Sequence, residues 1–235
     1  MNLRKLYLTN NACYKAGRTI TPKGIMIHST GANNPALSRY IAPDDGLLGV
    51  NRYSNHWNQD KPDGRNVCVH AFIGELKDGT IATYQTLPWN HLAWHSGGDA
   101  NNTHISFEIC EDGLDDLIYF RAVFKEAVEL CAYLCKQYNL NETHIIDHKE
   151  GFKKGIASNS ADIMHWFPKH GQNMDTFRAA VKNELAGNIP LLTREECRAI
   201  IQSKCNFSDP AAVWVAFETH KFADELYRRL VSVMK

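Results

Sequence analysis

The sequence predicts an α/β fold in which a mixed β-sheet is flanked by helices, followed by a small helical C-terminal region. Short apolar runs typical of strands alternate with long amphipathic patterns typical of helices through most of the chain. The segment Ala186–Pro190 (AGNIP) interrupts this pattern and precedes a helical tail. We therefore expect a main domain over residues 1–187 and a small helical domain over residues 188–235.

Five apolar runs are predicted to be strands of the sheet. They are Lys23–His28, Asn66–Gly74, Thr80–Gln85, Ile105–Cys110 and His144–His148. The turn Lys77-Asp78-Gly79 joins the second and third runs into a hairpin. Alternation along the fourth run places Ser106, Glu108 and Cys110 on one face of the sheet.

Apolar residues at helical spacing predict two long helices, Asp116–Tyr138 and Met174–Leu185. Shorter helical patterns occupy Leu37–Ile41 and Leu47–Trp57, and Lys149–Gly171 is predicted to be a loop. In the tail, helices are predicted to begin near Thr193, Asp209 and Phe222.

The composition excludes several classes of protein. The 235 residues include 26 Lys+Arg and 26 Asp+Glu, and 44% are hydrophobic, so intrinsic disorder is excluded. The basic residues are dispersed, which argues against nucleic-acid binding. No apolar run approaches the roughly 20 residues that span a bilayer, so no stable membrane insertion is expected. The opening segment lacks the apolar stretch of a secretory signal, which predicts synthesis for the cytoplasm or exit by a route that the sequence does not encode.

The seven cysteines are odd in number and have no framework spacing. This arrangement is typical of reduced thiols, and we expect no disulfide.

Histidines are concentrated between positions 28 and 170, which hold ten of the eleven. His28 and His148 each end an apolar run, and Asp162 lies in the loop that follows. Two imidazoles, a carboxylate and water would form an open catalytic zinc site. Alternatively, both histidines are core-edge residues bonded to backbone, and Asp162 caps a short helix. The spacing alone leaves both interpretations open.

Five motifs together resemble a known family. IMIHSTG, VCVHAFIG, LAWHSGG, ISFEICED and DHKEG…ASNSADIMHWFPKHG are similar, in this order, to the zinc-dependent N-acetylmuramoyl-L-alanine amidases of type 2. That family includes phage endolysins and is related in fold to the peptidoglycan recognition proteins. The likeness extends over residues 20–185, so it implies that residues 1–187 form the amidase catalytic domain.

The resemblance implies one zinc ion per chain, held by His28, His148 and Asp162, with Glu108 as the general base. It implies bacterial peptidoglycan as the substrate, cut at the amide between N-acetylmuramic acid and L-alanine. An endolysin of this kind would accumulate in the bacterial host cytoplasm until its release to the wall. The C-terminal helices could bind the wall, form a homo-oligomer or brace the main domain.

The sequence departs from the family two residues before the third ligand. Many relatives have lysine or histidine there, whereas this chain has Ser160, an uncharged and therefore weaker stabiliser of the oxyanion. The residues that could substitute for it are His95, Lys153, Lys154 and His165. Because Ser160 occupies this position, an alternative function is also possible: a module of the same fold that binds peptidoglycan without hydrolysing it.

Three further residues are expected to contact the substrate. His95 and Trp94 lie in a loop of small residues, LAWHSGG, which lets a ligand approach the backbone closely. Trp166 follows the third predicted ligand closely in the sequence. The resemblance implies that all three flank the cleft, where the two indoles could stack on sugar rings.

Overall fold

The computed structural model describes residues 1–187 and 194–205, together with positions 214–215, 223, 226–227 and 230–231. The chain divides into two compact units, Met1–Gly187 and Asn188–Lys235. The helix starts predicted at Thr193, Asp209 and Phe222 lie outside the described residues.

The first unit is built on a six-stranded mixed sheet, as predicted. Its strands are β1 (Leu3–Lys5), β2 (Gly24–Asn33), β3 (Ala71–Glu75), β4 (Ile81–Gln85), β5 (His104–Glu111) and β6 (Ile145–Asp147). The order across the sheet is β1-β4-β3-β5-β2-β6. The β3–β4 hairpin is antiparallel, whereas β2 is parallel to both β5 and β6. This pairing confirms the mixed sheet.

Four helices accompany the sheet: α1 (Ala12–Ala16), α2 (Leu117–Tyr138), α3 (His148–Lys153) and α4 (Met174–Leu185). The long helix α2 begins at Asp116, whose carboxylate accepts hydrogen bonds from two backbone amides of the first turn. It ends at Asn139, which adopts a left-handed conformation with φ of 54°. Both long helices therefore lie where the apolar spacing predicts them.

The sheet separates two apolar clusters, and alternation along β5 decides which residue joins which cluster. Ile105, Phe107 and Ile109 pack beneath α2. Cys110 points to the opposite face and packs in a second cluster with Phe72 and other residues. Glu108 lies on this second face, opposite α2, as the alternation predicts.

Several local predictions are wrong. The strand β2 continues beyond His28 to Asn33, and His148 is the first residue of α3 rather than the last residue of a strand. Leu47–Trp57 contains no helix, because the side chains of Asp44, Asp45 and Asn51 bond to nearby backbone amides and stabilise turns.

The expectation of seven reduced cysteines is also wrong for two of them. Cys13 on α1 and Cys68 before β3 form a disulfide, although 55 residues separate them in the sequence. Their Cα atoms lie 6.4 Å apart, and the backbone amide of Trp94 donates a hydrogen bond to Cys68 Sγ. The fold brings together two cysteines whose sequence spacing gives no such indication.

The second unit contains the helix α5 (Arg194–Lys204). Its described core includes Cys197, Ile201, Trp214 and Tyr227. Across the described residues of both units, no helix combines the length and the apolar character that crossing a bilayer requires.

Candidate metal centre

His28, His148 and Asp162 converge in the first unit, although they are far apart in the sequence. Nδ1 of His28 and Nδ1 of His148 lie 3.2 Å apart, and each lies 2.8 Å from Oδ2 of Asp162. Both histidines are buried and the aspartate is partly buried. Two imidazole nitrogens and one carboxylate oxygen are a donor set that zinc prefers, so these residues fit a metal ion with a fourth position left for water.

Three elements position these ligands. His28 lies within β2, between β5 and the edge strand β6, and pairs in register with Glu108 on β5. His148 opens α3, where Asp147 caps the helix by accepting a 2.6 Å hydrogen bond from the amide of Glu150. Asp162 opens a short 3-10 helix and has a φ of 33°, an uncommon conformation for a residue with a side chain. Such strain, of order 1–3 kcal/mol, is typical of functional sites.

Burial and the neighbouring polar groups shift the pKa values of Asp162 and His28 in opposite directions. Burial raises the pKa of Asp162, but hydrogen bonds from His148, His28 and Ser160 outweigh it and hold that pKa well below its usual range. Burial lowers the pKa of His28, and the nearby Asp162 carboxylate offsets part of the change. A neutral imidazole and an ionised carboxylate are the forms that bind a metal ion.

The other ring nitrogen of each histidine also has a partner. His28 Nε2 lies 2.9 Å from Nδ1 of His95, and His148 Nε2 lies 3.2 Å from Oγ of Ser158. Such contacts fix the orientation and the tautomer of an imidazole ligand. Ser158 was missed by the sequence analysis, because a serine in a loop carries no local signal of its partner.

Glu108 lies beside this cluster on the same face of the sheet. Its Oε2 is buried and has no hydrogen-bond partner among the described residues. Burial raises the pKa of Glu108 well above its usual range, and the negative charges of Asp162 and Glu111 raise it further. A carboxyl group with a raised pKa and a free oxygen is suited to accepting and returning a proton.

The structure places Ser160 and His165 in contacts other than those expected. Ser160 Oγ donates a 2.7 Å hydrogen bond to Oδ1 of Asp162, so its hydroxyl is bound to the ligand. His165 Nε2 lies 2.9 Å from Oε1 of the buried Glu111. This contact ties the short helix that begins at Asp162 to the end of β5, and it occupies the His165 nitrogen that could have faced a substrate.

The two tryptophans expected at the cleft differ in exposure. Trp166 is 0% exposed and packs against Tyr119 and Phe120, so the expectation that it stacks on a sugar is wrong. Trp94 is half-buried, and the guanidinium carbon of Arg18 lies 5.7 Å from its ring centroid. Trp94 therefore retains an accessible surface next to His95.

The structure therefore defines an α/β protein with a mixed sheet, whose two histidines and aspartate could hold a metal ion and have a glutamate beside them. The chain belongs to the N-acetylmuramoyl-L-alanine amidase family of type 2, whose sequence profile matches residues 18–165. Among curated proteins, no sequence matches the chain significantly.

Solved structures of similar fold include a hydrolase and an endolysin. The hydrolase AmiA of Staphylococcus aureus, solved with its ligand, is 19% identical and covers 81% of this chain and 87% of its own, with a TM-score of 0.58. The PlyG catalytic domain is 21% identical, and the similarity covers 82% of this chain and 99% of that domain, with a TM-score of 0.55. PlyL is 23% identical, and the similarity covers 77% of this chain and 98% of PlyL, with a TM-score of 0.54. At these identities the similarity shows the fold.

Proposed function

We propose that the chain is a zinc-dependent amidase that cleaves peptidoglycan between N-acetylmuramic acid and L-alanine. The observation that carries the proposal is the convergence of two histidine Nδ1 atoms and the Asp162 carboxylate beside Glu108, in a member of the amidase family. We further propose that it acts as a phage or prophage endolysin. The similarity in fold to PlyL and to the PlyG catalytic domain supports this biological setting.

His28, His148 and Asp162 would hold the zinc ion. Bound there, zinc supplies Lewis-acid chemistry that polarises an amide carbonyl and acidifies water. Glu108 takes a proton from the attacking water at Oε2 and gives it to the nitrogen of the leaving L-alanine. The buried position of Glu108 favours this return, because burial favours the protonated carboxyl group.

His95 is the donor that we assign to the developing oxyanion. A His28 ring that presents a lone pair at Nδ1 carries its proton on Nε2, and this proton is donated to Nδ1 of His95 across 2.9 Å. His95 then carries its own proton on Nε2, which is buried and has no partner among the described residues. That N–H would take the role of the lysine or histidine that many relatives carry at the position of Ser160.

The experiment is digestion of purified sacculi by the full chain. New L-alanine amino termini without new reducing sugar ends are expected, and they should disappear on chelation and return with Zn²⁺. His28→Ala and Asp162→Ala should lose both bound zinc and activity, whereas His144→Ala, an exposed histidine, should keep both. Reducing ends in place of amino termini would contradict the proposal.

The alternative function is a peptidoglycan-binding module without hydrolysis, which the absence of a lysine or histidine at position 160 favours. Wild-type protein with stoichiometric zinc, wall binding and no new amino termini would establish it. For residues 188–235, we propose a supporting role in wall binding or dimerisation. Deleting these residues and comparing wall binding with hydrolysis of a soluble muropeptide separates that role from catalysis.

A further inference from the structure

A groove of about 420 Å³ lies at the edge of the sheet, between β1 and the C-terminal half of α2. β1 is the outermost strand on this side, four strands away from β2, which carries His28. Among the residues that line the groove are Lys5, Tyr7, Asn90, Tyr133, Gln137 and Tyr138. Arg4 and Gln85 also line it, so three tyrosines, two cations and three amides share one concave surface outside the metal centre.

Each of the three tyrosine side chains is partly buried against the protein and partly exposed to solvent. Tyr133 is 38% exposed, and Tyr7 and Tyr138 are half-buried. A fixed phenol ring offers an apolar face together with a polar hydroxyl, the combination that suits the mixed apolar and hydroxylated surface of a sugar ring. Nζ of Lys5 lies 5.6 Å from the ring centroid of Tyr7, which places a positive charge beside this face.

Aromatic contacts continue from the groove toward the metal centre. The ring of Tyr7 lies 6.0 Å from that of Tyr14, which stacks on His91 at 6.0 Å. The amide of Leu92 donates a 2.8 Å hydrogen bond to the carbonyl of Arg18, and the Arg18 guanidinium lies over Trp94. The groove is therefore joined through neighbouring aromatic residues to the loop that carries His95.

We propose that this groove is an outer subsite for a polysaccharide strand of N-acetylated amino sugars that is also engaged at the metal centre. Four inter-strand spacings, at least about 19 Å, separate β1 from β2. The groove lies on the α2 side of the sheet and Glu108 on the other, so only an extended polymer that follows the path past Tyr7, Tyr14 and His91 would contact both places. Amide cleavage leaves a carboxylate on each lactyl group, and Lys5 and Arg18 along this path are complementary to that charge. This choice of glycan rests on the proposed function.

The first test is binding of glycan strands stripped of their stem peptides, measured by co-sedimentation with the full chain. Tyr7→Ala combined with Tyr133→Ala should bind about tenfold more weakly. Tyr133→Phe keeps the ring face and loses only the hydroxyl, so it should bind more tightly than Tyr133→Ala. Tyr53→Ala removes a tyrosine that is 75% exposed and outside the groove, and it serves as the matched control.

The second test compares substrates of different length. In Tyr133→Ala, KM for intact sacculi should rise several-fold, while turnover of a single-disaccharide muropeptide should match the Tyr53→Ala control. Should the double variant fail to fold, Tyr133→Ala and Lys5→Gln alone provide the binding comparison. Wild-type affinity in these variants, or no binding of stripped glycan by wild type, would overturn the subsite. Because binding is measured without cleavage, an inactive but glycan-binding chain would refute the proposed amidase while leaving the subsite standing.

Discussion

Ser160 donates its hydroxyl hydrogen bond to Oδ1 of Asp162, while Oδ2 of the same carboxylate faces the two imidazoles. The two carboxylate oxygens therefore have different partners: Oδ1 accepts from Ser160, and Oδ2 lies with the two imidazole nitrogens of the candidate metal centre. The bond also restrains Asp162 in its left-handed conformation. We therefore propose that Ser160 orients one ligand of the candidate metal centre.

Replacing Ser160 with alanine should weaken zinc binding about 10- to 100-fold, since the carboxylate loses its supporting donor. Competition with a chelator of known zinc affinity measures the change. Ser160→Thr keeps a hydroxyl and should stay close to wild type. Unchanged affinity together with a reduced kcat would instead assign the serine hydroxyl to the oxyanion.

The sequence predicts those parts of the fold and site that depend on local periodicity. Alternation along β5 places Glu108 on the face opposite Ile105 and Phe107, and helical spacing gives α2 nearly to the residue. The motif order predicts that His28, His148 and Asp162 converge, and their side chains do meet. Local patterns, however, misplace the end of β2 and the start of α3.

Contacts between distant segments could not be predicted in this way. His28 meets His95 across 67 positions, and no pattern near either residue indicates the partner. Two consecutive 3-10 helices turn Trp166 inward onto α2, although its short sequence distance from Asp162 suggested the cleft. In each case tertiary packing, rather than local propensity, decides where the side chain lies.

Glu108→Gln should retain zinc and lose activity, because glutamine has nearly the same shape but cannot accept the proton. We expect kcat on sacculi to fall about 10²- to 10⁴-fold. Metal content and kcat are measured on the same preparation. Glu75→Gln, a half-buried carboxylate at the end of β3, is the control and should keep its activity. Full activity in Glu108→Gln would exclude the carboxylate as the base.

His95→Phe removes both ring nitrogens while keeping an aromatic ring beside His28. If His95 Nε2 donates to the oxyanion, kcat should fall about 10²- to 10³-fold. Zinc affinity should also fall, since His28 loses its partner at Nε2. His95→Gln restores a side-chain amide and should recover part of kcat. A variant that loses zinc affinity but keeps kcat at saturating zinc would limit His95 to orienting His28.

His70 should make the stability of the first unit depend on pH. It is fully buried, and burial lowers its pKa from 6.5 to about 4, although hydrogen bonds with the backbone of His91 and Ser106 partly offset the change. The unfolded chain therefore binds a proton at a higher pH than the folded chain. The contribution of neutral His70 is complete above pH 6.5 and is lost as the pH falls toward about 4, a change of about 3 kcal/mol.

Urea unfolding of wild type and His70→Gln between about pH 7 and about pH 4 measures this contribution. The free energy of unfolding of the variant should be lower at neutral pH, and the difference should shrink as the solution is acidified. His104, whose pKa burial also lowers to about 4, remains in both proteins and cancels from the comparison. His144→Gln, at an exposed position, should follow the wild-type pH profile. A difference between wild type and His70→Gln that stays constant with pH would show that His70 does not titrate between those limits.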